Sequence, residues 1–419
     1  MSGYFEKLKK YNYWDGNRFN TGYKREWYLS RIEKLTGTSL VKVLVGQRRA
    51  GKSYLLRQVI QLLLDKGISS DNIFYFNKEF FDFNEITLAA DLQTLIEEYR
   101  SVLHPKGRIY LFFDEMQNVA GWEKIVNSWS QDIAVEAEVY ITGSNSTLLS
   151  GELATFLSGR YISFQVFPFS FSEFCGFYNL PENRDAMIQY LKSGGLPELF
   201  RLDDEEMRMH YVQSLRDTIL LRDIVQRYNI KDAWLLENLF SYIAGQTGSL
   251  FSVNNIVNYF NSQKIKTNHE TVSNYLHYLK QAYLIHEVPR YHIRAKEVLS
   301  GIRKYYLNDL AFRNYSRLRF STGLSFNLEN LVFLQILQKG YKIYVGTLKE
   351  GEIDFVAESG NSRLYIQVAY LLADEAVIAR EFGNLRRIGD HYPKMVISLD
   401  DFSLGNIDGI EHVPAWESA

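Results

Sequence analysis

The chain has 419 residues, a formal net charge of −2 at pH 7, 46% hydrophobic and 23% charged residues, and seven prolines. At roughly 100 to 200 residues per domain this length calls for two to four domains. The composition excludes a disordered or low-complexity chain, and the charge excludes a globally basic nucleic-acid binder while leaving local patches open.

The opening MSGYFEKLKKYNYWDG holds no apolar core of signal-peptide length, and no run of about 18 apolar residues follows it. The expected location is the cytoplasm, with no membrane partner. The first strong signal is VKVLV (41–45), an apolar run of strand type, followed by GQRRAGKS (46–53) and the helical pattern YLLRQVIQLLL. This is G-x-x-x-x-G-K-[ST] between a strand and a helix. Glycines let the backbone approach phosphates, and the helix N-terminus adds partial positive charge. Gly46, Gln47, Arg48, Arg49, Ala50, Gly51, Lys52, Ser53 and Tyr54 are the candidate nucleotide-binding residues, with Lys52 on the β- and γ-phosphates and Ser53 on Mg²⁺.

A nucleotide hydrolase also needs carboxylates at a strand end, and IYLFFDE (109–115) supplies them. Asp114 is the candidate Mg²⁺ ligand, and Glu115 the candidate general base that polarises the attacking water. EVYIT (138–142) is a further strand, running into Gly143, Ser144 and Asn145. Ligands bind at the carboxyl ends of strands in parallel α/β sheets, so Asn145 or Ser144 is a candidate sensor of the γ-phosphate; capping of a following helix is the alternative.

Together with FPFSFSEF, GGLPE and the SGRY that ends the segment after Asn145, these motifs resemble a bacterial and archaeal AAA+ family related to the archaeal ATPases and the STAND NTPases. Its members carry a C-terminal domain of unknown function. The resemblance runs in order from about residue 20 to about residue 400. It implies that Arg160 is an arginine finger or sensor, and that Gly195, Leu196 and Pro197 meet the nucleotide from a lid. A surface or salt-bridged role for Arg160 stays open.

Cys175 is the one cysteine, and no Cys/His cluster has zinc spacing, so a buried packing role is expected for it and neither disulfides nor structural zinc. From 183 to 227 apolar residues recur at helical spacing, which suits a lid; Arg216, Arg222 and Asp223 there could reach a phosphate or simply pair on the helix surface. Over 235–289, three helical patterns and the strand-like IHEVPRY suggest a winged helix-turn-helix. Asn274, His277 and Lys280 would then stand in the recognition-helix position. The segment 290–319 carries Arg290, Arg294, Lys296, Arg303, Lys304, Arg313, Arg317 and Arg319 against Glu297 and Asp309, interleaved with tyrosines. That suits phosphate contact and base stacking, or a solvated wing and connector.

Beyond it, NLENLVFLQILQKG reads as a helix, YKIYV as a strand, and GEIDFVA with RLYIQVA as a hairpin. This order resembles the restriction-endonuclease-like fold. Active members of that superfamily use a helix Glu, a strand Asp and a Glu-x-Lys to hold Mg²⁺ and activate water. Glu329 and Asp354 match, but Gln367, Val368 and Ala369 stand where Glu-x-Lys is required, so a silent domain is expected unless Lys349 or Lys342 fills the place.

The predicted organisation is an α/β chain: a P-loop AAA+-type core over 1–178, a helical lid over 179–231, a winged-helix domain over 232–293, a basic connector over 294–325 and a nuclease-like domain over 326–419. The predicted function is an ATPase using ATP and Mg²⁺, with catalytic candidates Lys52, Glu115, Asn145 and Arg160. A nucleotide-gated DNA- or protein-binding module and an ATP-dependent nuclease are the alternatives. DNA, through the winged helix and 290–319, a protein and a second copy of the chain are the candidate partners.

Overall fold

The computed structural model describes residues 3–149, 157, 159–316, 323–349 and 351–418. They fall into two compact units, Met1–Val166 and Phe167–Ala419.

The first unit holds helices α1 (Gly3–Tyr11), α2 (Glu26–Glu33), α3 (Lys52–Asp65), α4 (Ala89–Leu103) and α5 (Trp122–Ser130), with strands β1 (Val41–Val45), β2 (Ile73–Asn77), β3 (Ile109–Asp114), β4 (Ala137–Gly143) and β5 (Tyr161–Gln165). The strands form one sheet in the order β2-β3-β4-β1-β5, and every neighbouring pair is parallel. A parallel sheet is covered on both faces, which is why β1, β2 and β3 are apolar along nearly their whole length and buried at every position. Leu55, Leu56, Val59 and Ile60 of α3 pack there with Leu44, Phe112 and Tyr140.

Lys42 is the exception in that run, and it is buried because its Nζ lies 2.7 Å from Glu138 Oε1 on β4 and donates to Thr38 O. At the β2 edge of the sheet, Asn12 donates to Tyr75 O and accepts from Tyr75 N, while Trp14 Nε1 donates to Ile73 O. The segment after α1 thus satisfies an edge that would otherwise present unpaired backbone.

The second unit opens with helices α6 (Phe171–Tyr178), α7 (Arg184–Ser193) and α8 (Glu205–Thr218), and α8 runs into a π-helical stretch, Ile219–Gln226. Then come α9 (Ala233–Gly245), β6 (Leu250–Phe251), α10 (Val253–Ser262), α11 (His269–Gln281), β7 (Ile285–His292), β8 (Glu297–Leu307) and α12 (Ala311–Asn314). The last part comprises α13 (Leu324–Gln338), β9 (Lys342–Thr347), β10 (Glu352–Ser359), β11 (Ser362–Val368), α14 (Glu375–Arg386), β12 (Lys394–Ser398), β13 (Asn406–Ile407) and β14 (Ile410–Pro414).

Its strands make one continuous sheet in the order β13-β14-β12-β11-β10-β9-β7-β8-β6. The join is the parallel pairing of β7 with β9, Arg290 opposite Val345 and His292 opposite Thr347. The segment 294–325, read from sequence as a connector, therefore contains β8, a strand near the end of that sheet. Helix α13 locks the join from one face. Its Asn330 accepts from Leu307 N and Thr247 Oγ1 and donates to Leu307 O, and its Phe333 stacks on Tyr306 at 4.5 Å.

Candidate functional site

The carboxyl ends of β1, β3 and β4 meet at one place in the first unit. Val45 is level with Gly143, and Phe113 with Ile141, so Asp114 stands beside Thr142. From Val45 the chain turns through Gly46, where a Cβ would collide with the Val166 carbonyl, and enters α3 from Gly51 at φ 96°. Both positions demand glycine, one for space and one for conformation. The first turn of α3 carries amide N–H groups that helical bonding does not use. Arg25, itself buried, donates from Nη1 to Ala50 O and braces the loop from behind.

Lys52 is buried, and its Nζ donates to Gly46 O and Gln47 O, each at 3.0 Å. The same ammonium is 3.8 Å from Glu115 Oε1. Asp114 is completely buried and accepts from Tyr75 Oη at 2.9 Å, Asn77 Nδ2 at 3.0 Å and Thr142 Oγ1. A side-chain hydrogen bond from Ser53 reaches it too. Burial, and then the neighbouring Glu115 charge, push the Asp114 carboxyl above its usual range despite these donors.

Glu115 adopts φ 58°, a left-handed conformation that a non-glycine residue holds only when its surroundings impose it. The restraint is visible: its N–H donates to Thr142 Oγ1 at 3.0 Å, and Gln117 Nε2 donates to its Oε2 at 2.5 Å. Gln117 Nε2 also reaches Ser144 Oγ at 3.4 Å. Burial raises the Glu115 carboxyl, but Lys52, Gln117, Arg48 and Ser144 together outweigh it and hold the group below its usual range. Glu115 is therefore a carboxylate, the form a general base requires.

A family model described as an AAA domain matches residues 38–175, and another, described as a domain of unknown function, matches 184–323. An uncharacterized protein of Haemophilus influenzae is 36% identical over 399 residues, 94% of this chain and 98% of that one. An uncharacterized protein of Methanocaldococcus jannaschii is 33% identical over 407 residues, 90% of this chain and 87% of that one. The chain belongs to the same family as these two proteins, and its residues 38–175 are an AAA domain. Among solved structures, the Walker-type ATPase of Pyrococcus abyssi matches with a TM-score of 0.44 at 17% identity, over 72% of this chain and 97% of that one. The family models end at residue 323, so neither covers the elements from α13 onward.

Within this AAA+ chain the sequence candidates separate. Lys52, Ser53, Asp114 and Glu115 come together, with Gly46 and Gly51 shaping the loop. Arg48 pairs with Glu79, 3.1 Å away, and its charge also acts on Glu115. Tyr54 is half-buried on α3, packed against the Gly22 turn. Asn145 is buried just past β4, where a 3-10 turn, Ser146–Leu149, follows it. Gln117, Thr142, Tyr75 and Asn77 escaped sequence reasoning; only a polar residue at a strand's carboxyl end could have signalled Asn77 or Thr142.

Arg160 does not join this cluster. Its carbonyl accepts from Val41 N, at the amino end of β1, and Tyr161 is level with Val41. The phosphate loop begins at the other end of the same strand, roughly 13 Å away at 3.3 Å per residue. From there Arg160 does not reach its own loop, since an arginine cannot span that strand and still order a phosphate.

In the second unit, Gly194 and Gly195 are closed in by Asp309, which accepts from Gly195 N and Ala311 N, and Pro197 opens a 3-10 turn, Pro197–Arg201. Arg216 is held by Asp217 and Glu237. Cys175 is buried and its thiol is pushed up to about 11 by burial, as a packing cysteine should be.

Arg294 and Lys296 of the basic segment are exposed, while four others have partners in the fold. Arg290 donates to Thr347 Oγ1, Arg303 pairs with Glu287, Lys304 with Glu329 and Glu352, and Arg313 is buried against Asn327. Arg317 and Arg319 lie outside the described residues. Among the described residues, no helix is long and apolar enough to cross a membrane.

Proposed function

We propose that this AAA+ protein binds ATP with Mg²⁺ and hydrolyses it in the first unit. The observation that carries the proposal is the convergence of Lys52 and Glu115, 3.8 Å apart, beside an Asp114 that shares a hydrogen bond with Ser53. A triphosphate fits the residues present: a loop in which Gly46 and Gly51 keep side chains out of the path, a buried ammonium, and the unused amides of the α3 N-terminus. Mg²⁺, once bound, supplies neutralisation of charge between the β- and γ-phosphate oxygens.

Lys52 exchanges its contacts with the Gly46 and Gln47 carbonyls for phosphate oxygens. Ser53 and Asp114 would hold the metal, and Tyr75, Asn77 and Thr142 fix the Asp114 carboxylate against rotation. Glu115 takes a proton from the attacking water, and the Lys52 charge keeps it ionised until then. Asn145 or Ser144 is proposed as the sensor of the γ-phosphate, and Arg160 as a residue acting on a neighbouring copy.

For the second unit, the order α9, β6, α10, α11, β7, β8, with β6 paired to β8, supports the winged-helix reading of 232–293 and extends it to Leu307 at the end of β8. Helices α13 and α14 around β9 to β12 support a restriction-endonuclease-like reading of 326–419. We propose that nucleotide turnover drives or gates movement of these parts. A DNA-holding role rests on Asn274 and His277, both exposed on α11.

Lys52→Ala tests the assignment. Its turnover should fall by about a hundredfold or more, as loss of a preorganised charge in a dry site does. Wild-type binding and hydrolysis in that variant would end the proposal. Tight ATP binding by the wild type, with turnover near background with and without DNA, would favour a nucleotide-gated module instead.

A further inference from the structure

The nuclease-like part lacks its lysine in sequence, yet a lysine is there in space. Lys304 Nζ, delivered by β8, lies 3.0 Å from Glu329 Oε1 on α13, 2.8 Å from Glu352 Oε1 and 3.7 Å from Asp354 Oδ1 on β10. The lysine side chain is 5% exposed, Asp354 13% and Glu329 17%. Tyr306 Oη donates to Glu329 Oε1 at 2.7 Å, and Val368 N donates to Asp354 Oδ2 at 2.8 Å. Three carboxylates from two elements thus converge on one ammonium brought from a third.

We infer that the Lys304 ammonium is the resident cation of this cluster: it holds the place that a divalent metal takes in an active nuclease of this fold, and so closes the site to Mg²⁺ and Mn²⁺. Two observations support this. Ammonium–carboxylate distances of 2.8 and 3.0 Å are those of charge-assisted hydrogen bonds, well beyond the 2.0–2.1 Å that Mg²⁺ demands. The ammonium bonds the carboxylate oxygens themselves, so the negative charge a divalent cation would draw on is already neutralised.

Gln367 adds to the case. It follows Ile366, the partner of Phe355, on the strand beside Asp354, and brings no charge where an active site brings a carboxylate. Burial works against the Lys304 charge, but Glu329, Asp354 and Glu352 outweigh it and raise the group, while burial and then the Glu329 charge push the Asp354 carboxyl up to about 8 against the pull of Lys304. The cluster also has a mechanical consequence, since it ties β8 to α13 and β10 across the join in the nine-stranded sheet. This inference rests on the nuclease-like reading of 326–419 and is independent of the ATPase reading.

The test is Mn²⁺ binding to the full-length, nucleotide-free protein, followed by electron paramagnetic resonance, with Ser53→Ala in every arm to remove the phosphate-loop position. In that background, the chain with Lys304 and its Asp354→Asn variant should bind Mn²⁺ alike, at the weak level of scattered surface carboxylates. Lys304→Met should gain a saturable site about tenfold or more tighter, because three carboxylates then lack a counter-ion, and adding Asp354→Asn should abolish it. Lys304→Gln takes the place of Lys304→Met if the latter does not fold, and the arms that keep Lys304 decide the matter if neither does. A saturable Mn²⁺ site in the presence of Lys304 that Asp354→Asn removes would overturn the inference. So would DNA cleavage dependent on Asp354, or a folded Lys304 variant that gains no site. The ATPase proposal is untouched by any of these results, because it is read in the Lys52→Ala arm.

Discussion

Thr142→Val isolates the part of the site that sequence did not reveal. The substitution keeps the shape of the side chain and removes one hydroxyl, which is fully buried, donates to Asp114 and accepts the Glu115 N–H. Two penalties follow: Asp114 loses a hydrogen bond to a charged group, at about 1.5–3 kcal/mol, and the Glu115 amide is left buried and unpaired, at about 1–3 kcal/mol. The extra methyl of valine recovers roughly 1 kcal/mol, so a net loss of about 3 kcal/mol is expected. For a unit of this size that lowers its thermal midpoint by about 6–12 °C. Turnover should fall further than stability explains, by about a hundredfold, because Glu115 in its left-handed conformation has lost one of two restraints and drifts from the place where it is proposed to act as general base. Calorimetry and a coupled ATPase assay at a temperature where both proteins are folded measure the two effects separately, and Thr142→Ser should restore both. A folded Thr142→Val protein with wild-type turnover would refute the idea that this hydroxyl organises the site.

Three other perturbations probe separate claims. Gln117→Ala removes a donor that helps to hold the Glu115 carboxyl below its usual range, so the acid limb of the turnover–pH profile should move to higher pH while ATP affinity stays the same; an unmoved limb would make Gln117 a mere packing residue. Glu138→Gln strips the fully buried Lys42 of its counter-charge and should destabilise the first unit by about 3–5 kcal/mol, whereas Lys42→Met combined with Glu138→Leu should recover most of that in urea titrations. Asp309 has its carboxyl raised to about 7, chiefly by burial and against the Gly195 and Ala311 amides. Its folded form keeps a proton that the unfolded chain releases near pH 4, so stability of the second unit should decline as pH rises from about 4 to about 7, by at most about 4 kcal/mol. Asp309→Asn should flatten that slope in denaturant midpoints taken across the range.

What the sequence determined by itself is local. A β-branched apolar run, two glycines with a lysine and a serine at fixed offsets, and a helical pattern make a strand, a phosphate loop and a helix without help from the rest of the chain. The adjacent carboxylates that end IYLFFDE follow from the same logic, since a strand buried on both faces carries charge short of its end only where a partner neutralises it, as Glu138 does for Lys42. Helices of the second unit and the β10–β11 hairpin were legible for the same reason, because periodicity and turn residues act over a few positions.

What only the tertiary structure decided is which distant groups share a place. Tyr75, Asn77 and Thr142 surround Asp114 because parallel strands bring residues from three separate runs to one sheet edge. Arg160 lies at the opposite edge because β5 runs parallel to β1, which no spacing along the chain encodes. Lys304 reads as one more basic residue in a charged stretch until β7 pairs with β9 and carries β8 to the carboxylates of α13 and β10. Sequence periodicity records which face of an element is apolar, whereas strand order and register are set by packing among many elements at once, and the charge clusters follow from those.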